Sequence, residues 1–87
     1  MSLDTVHNFY ERKVFDHINE NYLASGLTEE QLADLACIAL NRIPPRYIRF
    51  DIDMSFYMSG QEHLEVDETV AKAVKKAYKK IQKLDQD

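Results

Sequence analysis

Two consecutive prolines, Pro44 and Pro45, stand at the middle of a chain of 87 residues that has no others. The first disfavours helical geometry at Ile43, and neither can donate a backbone hydrogen bond. Whatever precedes them must stop, and whatever follows must start afresh. Upstream, Leu32, Leu35, Ala36, Ala39, Leu40 and Ile43 fall on one helical face. Thr28 and Gln31 form a capping box at its start, with Glu29 and Glu30 well placed against the helix dipole. The small residues Ala33, Ala36 and Ala39 admit a neighbouring backbone, so this helix is expected to be the most buried. Cys37, among Ala36, Ile38 and Ala39, is expected to be buried with it.

Downstream, the period changes to two. From Arg46 to Met58, Ile48, Phe50, Ile52, Met54, Phe56 and Met58 alternate with Tyr47, Arg49, Asp51, Asp53, Ser55 and Tyr57. That alternation predicts a long, half-buried strand. No second strand of like quality is visible, and a lone strand leaves its backbone groups unpaired. The run therefore either folds back near Asp53 or pairs antiparallel with its copy in a homodimer, the preferred arrangement.

The remaining segments read as helices. Val6, Tyr10, Val14, Ile18 and Tyr22 recur every fourth residue from about Asp4 to Leu23, and Gly26 lies beyond as a break. After a polar loop over 59–65, Asp67 is expected to cap a last helix with Val70, Val74, Ala77, Ile81 and Leu84 along its seam. Its lysines, Lys72 to Lys83, read first as a solvated face. The expected fold is mainly α with one β-strand, a small three-helix domain spanning 1–87. A chain this short buries only about 60% of its unfolded surface, and a dimer interface would add to a thin core.

Charge and composition narrow the function. A net charge of −4 argues against general nucleic-acid binding. One cysteine excludes an intramolecular disulfide and a thiolate zinc site. His7, His17 and His63 are dispersed, and no catalytic triad order or phosphate-cradling glycine loop is present. No enzyme is expected, no metal and no cofactor. No apolar run is long enough for a membrane span, and a signal-peptide core is missing, so a cytoplasmic location is expected.

One concentration of chemistry stands out. Arg42, Arg46 and Arg49 surround the proline break, with no acid between Leu35 and Phe50. Guanidinium groups can grip phosphate bidentately and stack on a purine. Tyr47 adds a stacking surface, and Asp51 or Asp53 can accept from a base edge or bind a divalent cation. The plainer account is that Arg42 and Arg46 cap carbonyls freed at the break and pair with acids, and that the two aspartates merely face solvent.

The run Ala39-Leu40-Asn41-Arg42-Ile43-Pro44-Pro45-Arg46-Tyr47 resembles the hallmark of the late competence development ComFB family, in which leucine is usual where Ile43 stands here. The likeness is dense from about Asp34 to Ile48 and extends by pattern over most of the chain. The best-known members carry a zinc-holding cysteine cluster ahead of the central helix; Leu23-Ala24-Ser25-Gly26-Leu27-Thr28 occupies that place here. Some members are similar to receptors for cyclic dinucleotides, and others sit in competence operons. The resemblance thus implies a small bacterial regulatory protein, a cyclic di-GMP type ligand and a protein partner. The implied contacts are Asn41, Arg42, Arg46, Tyr47, Arg49, Asp51 and Asp53. The alternative is a ligand-free dimeric adaptor tied to competence or type IV pilus functions.

Overall fold

A computed structural model describes residues 2–85. A short 3-10 turn (Ser2–Thr5) leads into β1 (His7–Asn8) and α1 (Phe9–Asn21). Then follow α2 (Glu29–Asn41), β2 (Tyr47–Ile48), α3 (Asp51–Tyr57) and α4 (Gly60–Asp85). The fold is mainly helical, as the periodicity requires. The three longer helices, α1, α2 and α4, pack together around one apolar core.

The predicted stripes supply much of the core, but Val6 lies ahead of α1 and Leu84 near the end of α4, both exposed, while Phe9, Val66 and Ala73 join the core from outside those stripes. From α1 come Phe9, Val14 and Ile18, and from α2 Leu35 and Ala39, with Ile43 just beyond its end. α4 contributes Val66, Val70, Ala73, Val74, Ala77 and Ile81, spaced as a heptad seam. α4, not α2, is therefore the main core helix. α2 packs on both α1 and α4 through Leu35 and Ala39, with Ala36 half-buried, while Ala33, expected to admit a neighbour, is exposed.

Cys37 is exposed, against expectation. Two residues beyond buried Leu35 is about 200° around a helix, which turns the thiol outward. Gly26 turns the α1–α2 connection with a φ of 88°, the left-handed conformation that favours glycine. The Thr28–Gln31 capping box forms in full.

The largest departure lies after the prolines. Only Tyr47 and Ile48 are strand, and they pair antiparallel within the chain, His7 opposite Ile48 and Asn8 opposite Tyr47. From Asp51 the backbone is helical. The reason is the supply of partners: β1 offers two residues, and a longer strand would leave its donors and acceptors unmatched. A helix satisfies its own. Met54 and Met58, which share a face under either period, pack against the core in the helical register. The expected long strand, and the cross-dimer ladder built on it, give way to a two-residue ladder and a short helix.

α4 also begins earlier than expected. Ser59 Oγ accepts from the Glu62 N–H at 3.1 Å and donates to Glu62 Oε1 at 3.3 Å, a capping arrangement that absorbs Gly60 and the supposed loop into the helix. α1 starts later, at Phe9, because the Asn8 side chain accepts from the Tyr10 N–H and caps it. The two-residue ladder occupies the segment ahead of it.

Candidate ligand-binding site

The proline joint is built from its backbone outward. Ile43 plugs the core at 4% exposure, anchoring the end of α2. Three residues on, the Arg46 N–H donates to Asn8 Oδ1 at 3.0 Å, and the Phe9 N–H donates to the Arg46 carbonyl at 2.7 Å. Asn8 thus serves two jobs with one oxygen, capping α1 and gripping the chain as it leaves Pro45. This clamp fixes the backbone and leaves the side chains of Arg42, Arg46, Tyr47 and Arg49 outside, all exposed.

The three arginines do not meet in one pocket of the single chain. Arg42, the C-cap of α2, lines a cleft against α4 together with Lys76, Lys79, Lys80 and Lys83. Arg46 lines a different cleft with Tyr10, Met58, Glu62 and Glu65. Arg49 lies over the Phe50 ring, its guanidinium carbon 5.1 Å from the centroid, and its Nε reaches Thr5 Oγ1 at 3.5 Å. Tyr47 is 67% exposed and Phe50 is about half exposed. Tyr47, Arg49 and Phe50 therefore present flat, stackable groups on one short stretch. Asn41, at the last position of α2, directs its amide toward the Cys37 sulfur at 3.8 Å.

Asp51 is committed to a different task. Its Oδ1 lies 2.9 Å from His7 Nε2 and its Oδ2 lies 3.7 Å from Arg12 Nε. His7 Nδ1 in turn donates to the Thr5 carbonyl at 2.7 Å. Both ring nitrogens thus face acceptors, and a histidine so placed prefers to be protonated. The Asp51 bond, then the Thr5 bond, raise the His7 pKa above its ordinary value. The clasp ties β1 to the first turn of α3. The side chain of Asp53 lies outside the described residues.

His7 and Asn8 carry the joint's geometry, and the sequence pattern predicts neither as a contact to it. Asn8 had a local signal, a capping residue directly before an amphipathic run. His7 had none, since its partner is 44 positions away. The lysine spacing 76, 79, 80, 83 was legible as one helical face, but not that Arg42 stands opposite.

The 23–28 segment does not suit zinc. It contains neither thiol nor imidazole; Ser25 Oγ donates to the Tyr22 carbonyl, and Leu27 packs against the core. Among the described residues no three His, Cys, Asp or Glu side chains gather closely enough to hold a metal ion. Nor is any helix long and apolar enough to cross a membrane.

No curated protein and no solved structure matches this chain significantly. The family model described as late competence development protein ComFB matches residues 7–84, from the first strand nearly to the end of α4. The clamped proline joint, its outward arginines and the helices that position it all lie within that match, and the chain belongs to the ComFB family.

Proposed function

We propose that this competence-family protein is a small cytoplasmic receptor for a cyclic dinucleotide of the cyclic di-GMP type, acting as a homodimer through a protein partner and catalysing no reaction. The observation that carries the reading is the stretch Tyr47–Phe50, where an arginine lies over one exposed ring beside a second. A cyclic dinucleotide offers purine faces to such groups and phosphodiesters to guanidinium. Arg46 and Arg49 supply the phosphate and purine contacts, and Tyr47 the stacking. Arg42 opens on a separate cleft, so it joins the same ligand only if a second copy completes the site. Asp51 holds His7 through Oδ1, so a guanine edge would meet its Oδ2, which lies 3.7 Å from Arg12 Nε.

Isothermal titration with cyclic di-GMP and cyclic di-AMP, with GTP as control, tests this. Saturable heat with a cyclic dinucleotide that disappears on removing Arg46 and Arg49 is expected. Silence with both dinucleotides defeats the reading.

A second reading, a ligand-free dimeric adaptor, is favoured by α3. Ile52, Phe56 and Tyr57 are 74%, 81% and 81% exposed, an apolar surface that a partner can cover. Both readings allow a ligand-free dimer, so titration separates them: the adaptor self-associates in sedimentation yet binds neither cyclic dinucleotide.

A further inference from the structure

The cleft between the end of α2 and the last turns of α4 is lined by Arg42, Lys76, Lys79, Lys80, Gln82 and Lys83. Its volume is about 570 Å³, within the range of small-molecule sites. Among the described residues, five of the six that line it are cations and none is an acid. This occurs in a chain whose net charge is −4. Other clefts differ: the one beside His7 mixes Arg12 with Asp4, Glu11, Asp16 and Asp51, and the one beside Lys13 includes Asp16, Glu20 and Asp67.

Helix electrostatics explains only part of this. A cation in the last turn suits the helix dipole, which accounts for Lys83. The dipole's influence fades within that turn, and Lys76 lies nine positions before Asp85. Lys76–Lys79 and Lys80–Lys83 are three apart, while Lys76–Lys80 and Lys79–Lys83 are four apart. Like charges at these spacings repel and weaken a helix. Arg42 adds a further positive charge from a separate element. A bound anion would relieve that repulsion.

We propose that this α2–α4 cleft binds a small soluble ligand bearing several phosphate charges, through Arg42 and the lysine face of α4. The site goes beyond the Tyr47–Phe50 platform and does not depend on it. Arg42 offers the planar fork that phosphate accepts bidentately, and the lysines act as movable point charges around it. The cleft is concave and, among the described residues, has no large apolar side chain to insert into a bilayer, which favours a dissolved ligand over a membrane surface.

Tripolyphosphate, titrated into the full chain and followed by amide chemical shifts, is the probe. Saturable shifts confined to the end of α2 and to α4 from Lys76 onward are expected. Lys76→Gln with Lys80→Gln should weaken binding by about tenfold. Lys72→Gln with Lys75→Gln removes the same charge from the same helix one turn before the cleft, and should weaken binding clearly less than the cleft pair does. Arg49→Ala should leave tripolyphosphate binding intact, which separates this site from the nucleotide reading. Equal losses in both lysine pairs would reduce the cleft to general charge and overturn the proposal. So would absence of saturation, or binding to anionic phospholipid vesicles without binding to tripolyphosphate.

Discussion

The chain on the two sides of the proline joint uses apolar residues in contrasting ways. Before the prolines, Leu35, Ala39 and Ile43 are buried against α1 and α4. After them, Tyr47, Phe50, Ile52, Phe56 and Tyr57 remain largely in solvent. The first region is held by packing. The second is held by Ile48, Met54 and Met58 at the edge of the core and by a few polar bonds at its root, chiefly those of Asn8 and the His7–Asp51 clasp. A chain this small has apolar surface to spare only where folding does not need it, so the downstream region is the natural place for recognition.

Paired truncations test this contrast most severely. Leu35→Ala, at a fully buried position, should cost about 2–5 kcal/mol in denaturant unfolding. Phe56→Ala should change stability by less than about 0.5 kcal/mol under dilute conditions. A large loss at Phe56 would mean that α3 is already covered by a second copy.

A ligand test comes next. Arg46→Lys keeps the charge and loses the planar fork, and Arg49→Lys does the same above Phe50. Each should weaken cyclic dinucleotide binding by about ten- to a hundredfold, the loss of one charge-assisted contact. Circular dichroism should be unchanged. Full affinity in both lysine variants would remove the downstream region from recognition.

Asn8→Ala probes the root that joins the regions. It releases the Tyr10 and Arg46 N–H groups together and should cost about 1–2 kcal/mol. Amide exchange should quicken at Arg46 while residues 70–77 of α4 stay protected. Uniform loss of protection would show that the joint is part of the core's cooperative unit.

A smaller effect follows from pH. His7 has a raised pKa in the folded chain, so its clasp stabilises fully below the ordinary histidine value of 6.5. That stabilisation is lost as pH rises through the raised value. Melting temperature should therefore fall modestly from about pH 6 to about pH 8, and His7→Gln should flatten the slope. An unchanged slope in the variant would dissolve the clasp as an energetic feature. The smallest expected effect is none: a chelator should leave the melting curve in place, because 23–28 supplies no zinc donor, and a shift would refute that.

Much of the core was written in local order. The α1, α2 and α4 stripes, the Thr28–Gln31 cap, the left-handed break at Gly26 and the stop before Pro44 follow from helical spacing and backbone sterics. These act between near neighbours, so a sequence exposes them. Ser59 with Glu62 was equally local, and was masked by reading Gly60 as a loop.

Tertiary structure decided the rest. Residues 51–58 suit either period, and their fate depended on how much strand His7–Asn8 could offer. The placement of Arg42 among lysines more than 30 positions away, of Arg49 over Phe50, and of Asp51 on His7 depended on which helix ends the packing brings together. Chain order alone determined which residues are available at the proline joint. Only folding sorted them into separate clefts, because side-chain direction at an exposed joint is set by long-range partners and not by spacing.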